Sequence, residues 1–265
     1  MTLIAIGGAE DKQGDMTVLK RVLQEAKGAA SKVVVVTTAT EDPAGAKDRY
    51  EAAFGKLGVQ PVVLHIDSRT AANDKAVVQL LQEADVVFFS GGDQLRLTSL
   101  LAGTQSMDAV QEKYAAGHLV VAGTSAGAAA ASSLMIYGGD PAKSMQKGEV
   151  SISAGFAFAA QTVMDTHFSE RDRLPRLFNA VAANPSITGI GLDEDTAVVM
   201  KANGVIEVVG SGTVTFVEGR NITQSNLTDI STGDVMKVEG IVTHRLSSGA
   251  RYDLLQHKPV AGFPY

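Results

Sequence analysis

The sequence predicts an α/β fold, a mostly parallel central sheet flanked by helices with a C-terminal antiparallel, strand-rich extension. Three observations carry this. Over the first two thirds of the chain, short β-branched runs alternate with helical stretches, the pattern that lays down parallel strands covered by helices. The runs are continuously apolar rather than alternating, as suits strands buried on both faces. Beyond about residue 187 the texture changes to strand-like segments joined by glycine turns.

In order, Leu3–Ile6 is the first buried strand, and Thr17–Ala26 has a helical pattern. Lys32–Thr37 follows as a valine-rich strand, then helical Asp48–Lys56, strand Gln60–His65, helical Asn73–Glu83 and strand Asp85–Phe89. Helical Thr104–Ala116 precedes the strand Leu119–Val121. Ligands of such sheets bind where strands end and loops begin, and Gly91-Gly92 and Gly123–Gly127 each follow a strand directly. In the last third, "TAVVMKANGVIEVVG" reads as two strands turning across Asn203-Gly204, a strong hairpin signal. "SGTVTFVEG" and "VTHRL" continue the strand-rich pattern. With no long polar linker and no repeat, one domain spanning 1–265 is expected.

Composition narrows the function. The chain contains no cysteine, which excludes disulfides, thiolate nucleophiles and cysteine metal sites. Its five histidines show no spacing that suggests zinc, so no metal is expected. A formal net charge of −6 disfavours nucleic acid, whose binding needs a basic face. No apolar run approaches the ~20 residues of a membrane span, and the start "MTLIAIGGAEDK" lacks the basic and long apolar stretches of a secretion signal. A cytoplasmic protein without membrane contact is expected.

"GTSAG", Gly123 to Gly127, matches the G-x-S-x-G pattern that places a serine nucleophile on a strained strand-to-helix turn. The flanking residues are nearly side-chain-free, so strand and helix can pass closely. The alanine-rich run after it starts a helix readily, which brings backbone N–H groups and a positive dipole end beside the hydroxyl. A structural or phosphate-binding turn is the alternative.

A serine nucleophile needs a base. Among the histidines, His167 in "VMDTHFSERDRLPRLF" follows a short apolar run and precedes Arg171, Arg173 and Arg176. These arginines read either as solvated first turns of a helix, with Asp172 as cap, or as a carboxylate-binding pocket, since cations oppose the dipole at a helix start. "GIGLDEDTAVV" offers Asp193, Glu194 and Asp195 as an acid to orient the imidazole; the spacing does not choose among them. Gly91-Gly92 can supply an oxyanion N–H alongside that of Ala126. The "GGAEDK" turn lacks a dinucleotide-binding spacing and is assigned no chemistry.

Taken together and in this order, "IGGAEDK", "FFSGGDQLRL", "AGTSAGAAAAS", "DTHFSERDRLPRL", "GIGLDEDTAVV" and "ARYDLL" resemble the cyanophycinases across nearly the whole chain. The resemblance implies a serine exopeptidase on a fold akin to class I glutamine amidotransferases. Such an enzyme hydrolyses cyanophycin, a polyaspartate whose β-carboxyls carry arginine, to β-Asp-Arg dipeptides. It implies Ser125 as nucleophile, His167 as general base and Glu194 as orienting acid, with Gly92 and Ala126 as oxyanion donors. Gln94, Asp165, Thr166, Arg171, Arg173 and Arg176 would line the substrate pocket, with Asp165 placed to meet a substrate guanidinium. Thr166 stands where many relatives are expected to carry glutamine. No cofactor is implied, and the family suggests a homodimer. A related peptidase acting on short Asp-containing peptides is the alternative, and a non-catalytic binding protein that keeps the pocket is a third reading.

Overall fold

Valine-rich runs build the centre of the molecule. In the computed structural model, which describes residues 1–262, β1 (Thr2–Ile6), β2 (Val33–Val36), β3 (Val62–Leu64), β4 (Val86–Phe89) and β5 (Val120–Thr124) lie parallel in the order β1-β5-β4-β2-β3. Strands β2, β4 and β5 are buried at every position, so both faces must be apolar. Alternate residues feed two cores: Leu3, Val34, Val87 and Val121 on one side, Ile4, Val35, Phe88 and Ala122 on the other. The covering helices are α1 (Thr17–Gln24), α2 (Pro43–Lys56), α3 (Lys75–Glu83), α4 (Gln94–Leu101), α5 (Gln105–Ala115) and α6 (Ala126–Ala131). Helix α2 begins earlier than periodicity suggests because the Asp42 side chain accepts from the Gly45 amide and Pro43 occupies the first turn. Helix α4, which the sequence pattern did not mark, is capped by Asp93 through the amides of Leu95 and Arg96.

The strand-rich part starts much earlier than residue 187. Strand β6 (Ser132–Gly139) leaves α6 directly and is followed by β7 (Val150–Ala154), β8 (Ala159–Thr166), α7 (Leu174–Ala183) and β9 (Thr188–Leu192). Then come β10 (Thr196–Lys201), β11 (Val205–Gly210), β12 (Thr213–Glu218), β13 (Gln224–Ser225), β14 (Val238–Glu239), β15 (Val242–Ser247), β16 (Arg251–Asp253) and β17 (Lys258–Pro259). The β10–β11 hairpin turns at Asn203-Gly204, where Gly204 has φ 77°. Strands β10, β11, β16 and β17 extend the parallel strands into a nine-stranded sheet, with β10 antiparallel to β1. The remaining long strands form a six-stranded sheet in the order β15-β12-β9-β8-β6-β7, and β13 pairs with β14 alone. Residues 263–265, the end of the span expected as one domain, lie outside the described residues.

Strand register determines what meets at the edge of the sheets. Ile6 pairs with Thr124 on one side and Ala197 on the other. The residues just past β1 therefore lie between Ser125 and the segment that enters β10. In the six-stranded sheet Thr166 pairs with Leu192 in parallel, so His167 and the acidic trio leave their strands together. The two sheets thus deliver their chain ends to one seam.

Candidate active site

Ser125 sits between β5 and α6 with φ 52° and ψ −112°, a region that a side-chain-bearing residue occupies only under constraint. The constraint is the closeness of strand and helix. A Cβ on Gly123 would fall 2.5 Å from the Gly127 backbone, and one on Gly127 would fall 2.3 Å from the Phe89 carbonyl oxygen. Glycine at both places lets the turn fold back and present the hydroxyl.

The Ser125 hydroxyl lies 2.9 Å from His167 Nε2, and His167 Nδ1 lies 2.6 Å from Glu194 Oε1. A carboxylate only accepts, so Nδ1 carries the ring hydrogen and Nε2 is left to accept the serine proton. Serine, histidine and acid form one hydrogen-bonded row, the arrangement that activates a hydroxyl for attack on a carbonyl.

The acidic trio divides by partner. Asp193 is buried and accepts from the Ser169 and Thr213 amides at 3.1 Å each. Burial acts to raise its pKa, but hydrogen bonds from Ser169 and Thr213 outweigh it and hold the carboxyl below its ordinary value. Asp195 accepts from the Asp11 amide and the Ser211 hydroxyl, both at 2.8 Å. Glu194 alone of the three bonds the imidazole.

Ala126 is the first residue of α6, so its N–H has no partner in the helix. Gly92 has φ 142°, and a Cβ there would lie 2.1 Å from the Ala39 carbonyl oxygen. Its neighbour Gly91 is the glycine in contact with Ser125, where a Cβ would be 3.2 Å from that of the serine.

The residues expected to line a pocket are largely bonded to one another. Asp165 is 2% exposed and accepts from Arg176 Nε at 2.6 Å, from Arg173 Nη1 at 3.3 Å and from the Thr166 amide at 2.9 Å. The acid expected to meet a substrate guanidinium is therefore occupied by guanidinium groups of the chain itself. Arg173 also donates to the Thr166 carbonyl at 2.6 Å, and burial lowers its pKa to about 10. Helix α7 starts at Leu174 without a side-chain cap, so Asp172, at φ 49°, does not serve as one. The cations near that helix start are balanced by Asp165 instead. Gln94 donates to the Ile136 carbonyl at 2.8 Å, and Arg171 is exposed.

The turn to which the sequence assigned no chemistry is central. The carbonyls of Ile6, Gly7 and Gly8 accept the amides of Ser125 at 2.9 Å, His167 at 2.8 Å and Asp195 at 2.9 Å. A Cβ on Gly7 would lie 1.9 Å from the Asp193 carbonyl oxygen, and one on Gly8 would lie 2.3 Å from His167 Cε1. Two residues further, Glu10 is buried. It accepts from Thr124 Oγ1 at 2.6 Å, Tyr50 Oη at 3.0 Å and Lys12 Nζ at 2.8 Å. Burial, reinforced by Glu10, pushes the Tyr50 hydroxyl pKa well up. A cavity of about 250 Å³ opens beside Ser125 and His167 and is lined by Lys12, Thr40, Arg49 and Gly91. A buried acid four residues beyond a strand end was the available signal for this wall. Arg173 lines a separate hollow of about 320 Å³ with Ser169 and Arg245.

An α/β sheet that presents a serine on a strained turn, bonded through histidine to a carboxylate, defines a serine-type peptidase. The model of peptidase family S51 matches residues 2–208. The chain belongs to that family. It is 34% identical over 262 residues to a cyanophycinase from Geminocystis herdmanii, covering 98% of this chain and 96% of that one. A cyanophycinase from a Nostoc species is also 34% identical, over 255 residues, 96% of this chain and 86% of its own length. Among solved structures, a peptidase from an acI-B1 actinobacterium superposes with a TM-score of 0.70 at 20% identity, covering 95% and 96% of the two chains. That likeness concerns the fold.

Proposed function

We propose that the chain is a serine exopeptidase that hydrolyses cyanophycin to β-Asp-Arg dipeptides. The observation that carries this reading is the Ser125–His167–Glu194 row in a chain about one third identical to cyanophycinases over nearly its full length.

Ser125 attacks the backbone carbonyl of an aspartyl residue bearing β-linked arginine. His167 takes the hydroxyl proton and gives it to the leaving amine, while Glu194 holds the ring and balances the imidazolium. The oxyanion rests on the N–H groups of Ala126 and Gly92. Water, deprotonated by His167, then releases the acyl group and restores the serine. No cofactor enters these steps. Arg171 and Arg173 supply donors for carboxylates of the polymer. Asp165, Thr166, Arg176 and Gln94 shape and hold the surrounding walls through the bonds described above.

The reading extends to one catalytic domain in a cytoplasmic homodimer. No helix among the described residues is long and apolar enough to cross a membrane. Light scattering of the purified protein tests the dimer.

The deciding experiment is mass spectrometry of products released from insoluble cyanophycin, with Ser125→Ala in parallel. β-Asp-Arg is expected from the wild type, with at least a ~10³-fold loss in the variant. Cleavage of short aspartyl peptides without release from the polymer would overturn the substrate and leave the peptidase chemistry.

A further inference from the structure

We propose that Lys12 and Arg49 form a carboxylate subsite beside the nucleophile, holding a carboxylate of the terminal substrate unit. The proposal rests on the cyanophycin reading above and names the group that the cavity at Ser125 recognises.

The cavity runs from Ser125 and His167 between the turn after β1, which carries Lys12, and α2, which carries Arg49. At about 250 Å³ it falls below the roughly 300–1,000 Å³ of sites that enclose a whole small ligand. It fits the end of a chain rather than its length.

Its polarity follows from which groups still have bonds to make. Glu10, the acid of the wall, has a side chain only 1% exposed. Both its oxygens are taken, by Thr124, Tyr50 and Lys12. It has little left to offer a substrate guanidinium. The cations differ. Lys12 Nζ lies 2.8 Å from Glu10 Oε1 and 3.2 Å from the Glu10 carbonyl oxygen, and 5.3 Å from the centroid of the Tyr50 ring. Two of its three donors are thereby directed, and the ammonium is held in place with one donor to spare. Arg49 bonds Asp42 through one nitrogen at 3.3 Å, with both side chains more than half exposed. An exposed pair of this kind contributes little and exchanges readily. The charged groups of the lining that keep donors to spare are both cations, beside the neutral hydroxyls of Thr40 and Ser90, so the cavity favours an anion, and a guanidinium fork suits a planar carboxylate.

A terminal β-Asp-Arg unit offers two such groups, the α-carboxylate ending the aspartate backbone and the carboxylate of its arginine. Recognition of the backbone α-carboxylate, which is free only at the chain end, would place the last unit against Ser125, as stepwise removal of dipeptides requires; recognition of the arginine carboxylate would seat the side chain of the unit being cleaved.

The test uses synthetic β-Asp-Arg trimers in three forms: free acid, C-terminal amide, and with agmatine in place of the terminal arginine. Steady-state kcat and KM are measured for the wild type, Arg49→Gln, Arg49→Lys and Lys12→Met, with melting curves to verify folding. One modified trimer is expected to lose about 10–100-fold in wild-type kcat/KM, the range of a charge-assisted hydrogen bond. Loss on the amide identifies the chain-end carboxylate, and loss on the agmatine form identifies that of arginine. Arg49→Gln is expected to raise KM for the free acid about tenfold, with kcat within about twofold, and to reduce that preference; Arg49→Lys recovers part of it. Lys12→Met removes a partner of Glu10 as well and tests the same preference if it folds. A wild type indifferent to both modifications, or an Arg49→Gln enzyme with unchanged KM and preference, overturns the subsite. If the wild type cleaves no trimer, the cyanophycin reading fails instead. Aspartyl dipeptides and their amides then take the trimers' place, and Arg49→Gln must still lose its preference for the free acid.

Discussion

The histidine proposed as general base, His167, is held against bare backbone at Gly8. With φ 101° and a would-be Cβ 2.3 Å from the His167 ring, this position resists any side chain both by conformation and by contact. Gly8→Ala is expected to displace the imidazole and reduce kcat by about 10²-fold, since a shift near 1 Å at the reacting groups costs that much. Loss of KM alone, with kcat intact, would show that the ring has not moved. Asp11, at the end of the same turn, accepts amides from Gly14, Met16 and Gln13, which lower its pKa to about 2. The folded value lies below the unfolded one, so its contribution to stability is full above the unfolded pKa and is lost as pH falls through about 2. The gap in melting temperature between wild type and Asp11→Asn should be constant above roughly pH 5 and close toward pH 2. Melting curves across that range check it.

Single elements are pinned to the site by the residues at their ends. Helix α7 has cations near its start, an arrangement that isolated-helix physics disfavours. Asp165, at the end of β8, supplies the opposing charge for Arg173 and Arg176. Replacing Asp165 with Asn would leave two half-buried guanidinium groups short of a carboxylate. That is expected to cost about 3–5 kcal/mol in urea unfolding, and activity should fall with it because His167 is two residues away. The same elements show what a sequence discloses. The strand-to-helix turn at Ser125 was legible because close approach of strand and helix demands small residues at fixed positions, and Gly123, Ala126 and Gly127 supply them. The continuous valine runs disclosed the parallel strands for a similarly local reason. The pairing of Asp165 with Arg176 was not legible, since it depends on how α7 folds back onto β8. Nor could three adjacent acids be told apart before the β9–β10 turn fixed their directions. Gly7 and Gly8 looked like an ordinary strand end because what they exclude lies far along the chain.

The molecule as a whole places its site on a seam. Ser125 ends a strand of the nine-stranded sheet, His167 ends a strand of the six-stranded sheet, and Glu194 lies in the connection between them. The relative placement of the sheets is therefore a catalytic variable. Far from the site, Glu218 of β12 accepts from Tyr252 Oη at 2.6 Å and Thr188 Oγ1 at 2.8 Å, and Tyr252 stacks on Phe216. These contacts join β16, of the larger sheet, to the smaller one. Tyr252→Phe removes a donor from a buried carboxylate and should destabilise the fold by about 1–3 kcal/mol in denaturant titrations, with turnover at 25 °C unchanged. The turn after β1 has a consequence in time. Its three successive carbonyls gather amides from residues 125, 167 and 195, so the proposed nucleophile, the proposed base and the residue next to the proposed acid Glu194 are aligned by a tripeptide that is translated before any of them. A growing chain has this template long before it has what the template must hold, and cannot hydrolyse anything until the segment near residue 195 has emerged and docked. In refolding, recovery of turnover should lag the regain of helical circular dichroism, because contacts this distant in sequence form late. Stopped-flow circular dichroism paired with activity sampling would reveal that lag, and a template that works only when complete keeps the peptidase silent on the ribosome.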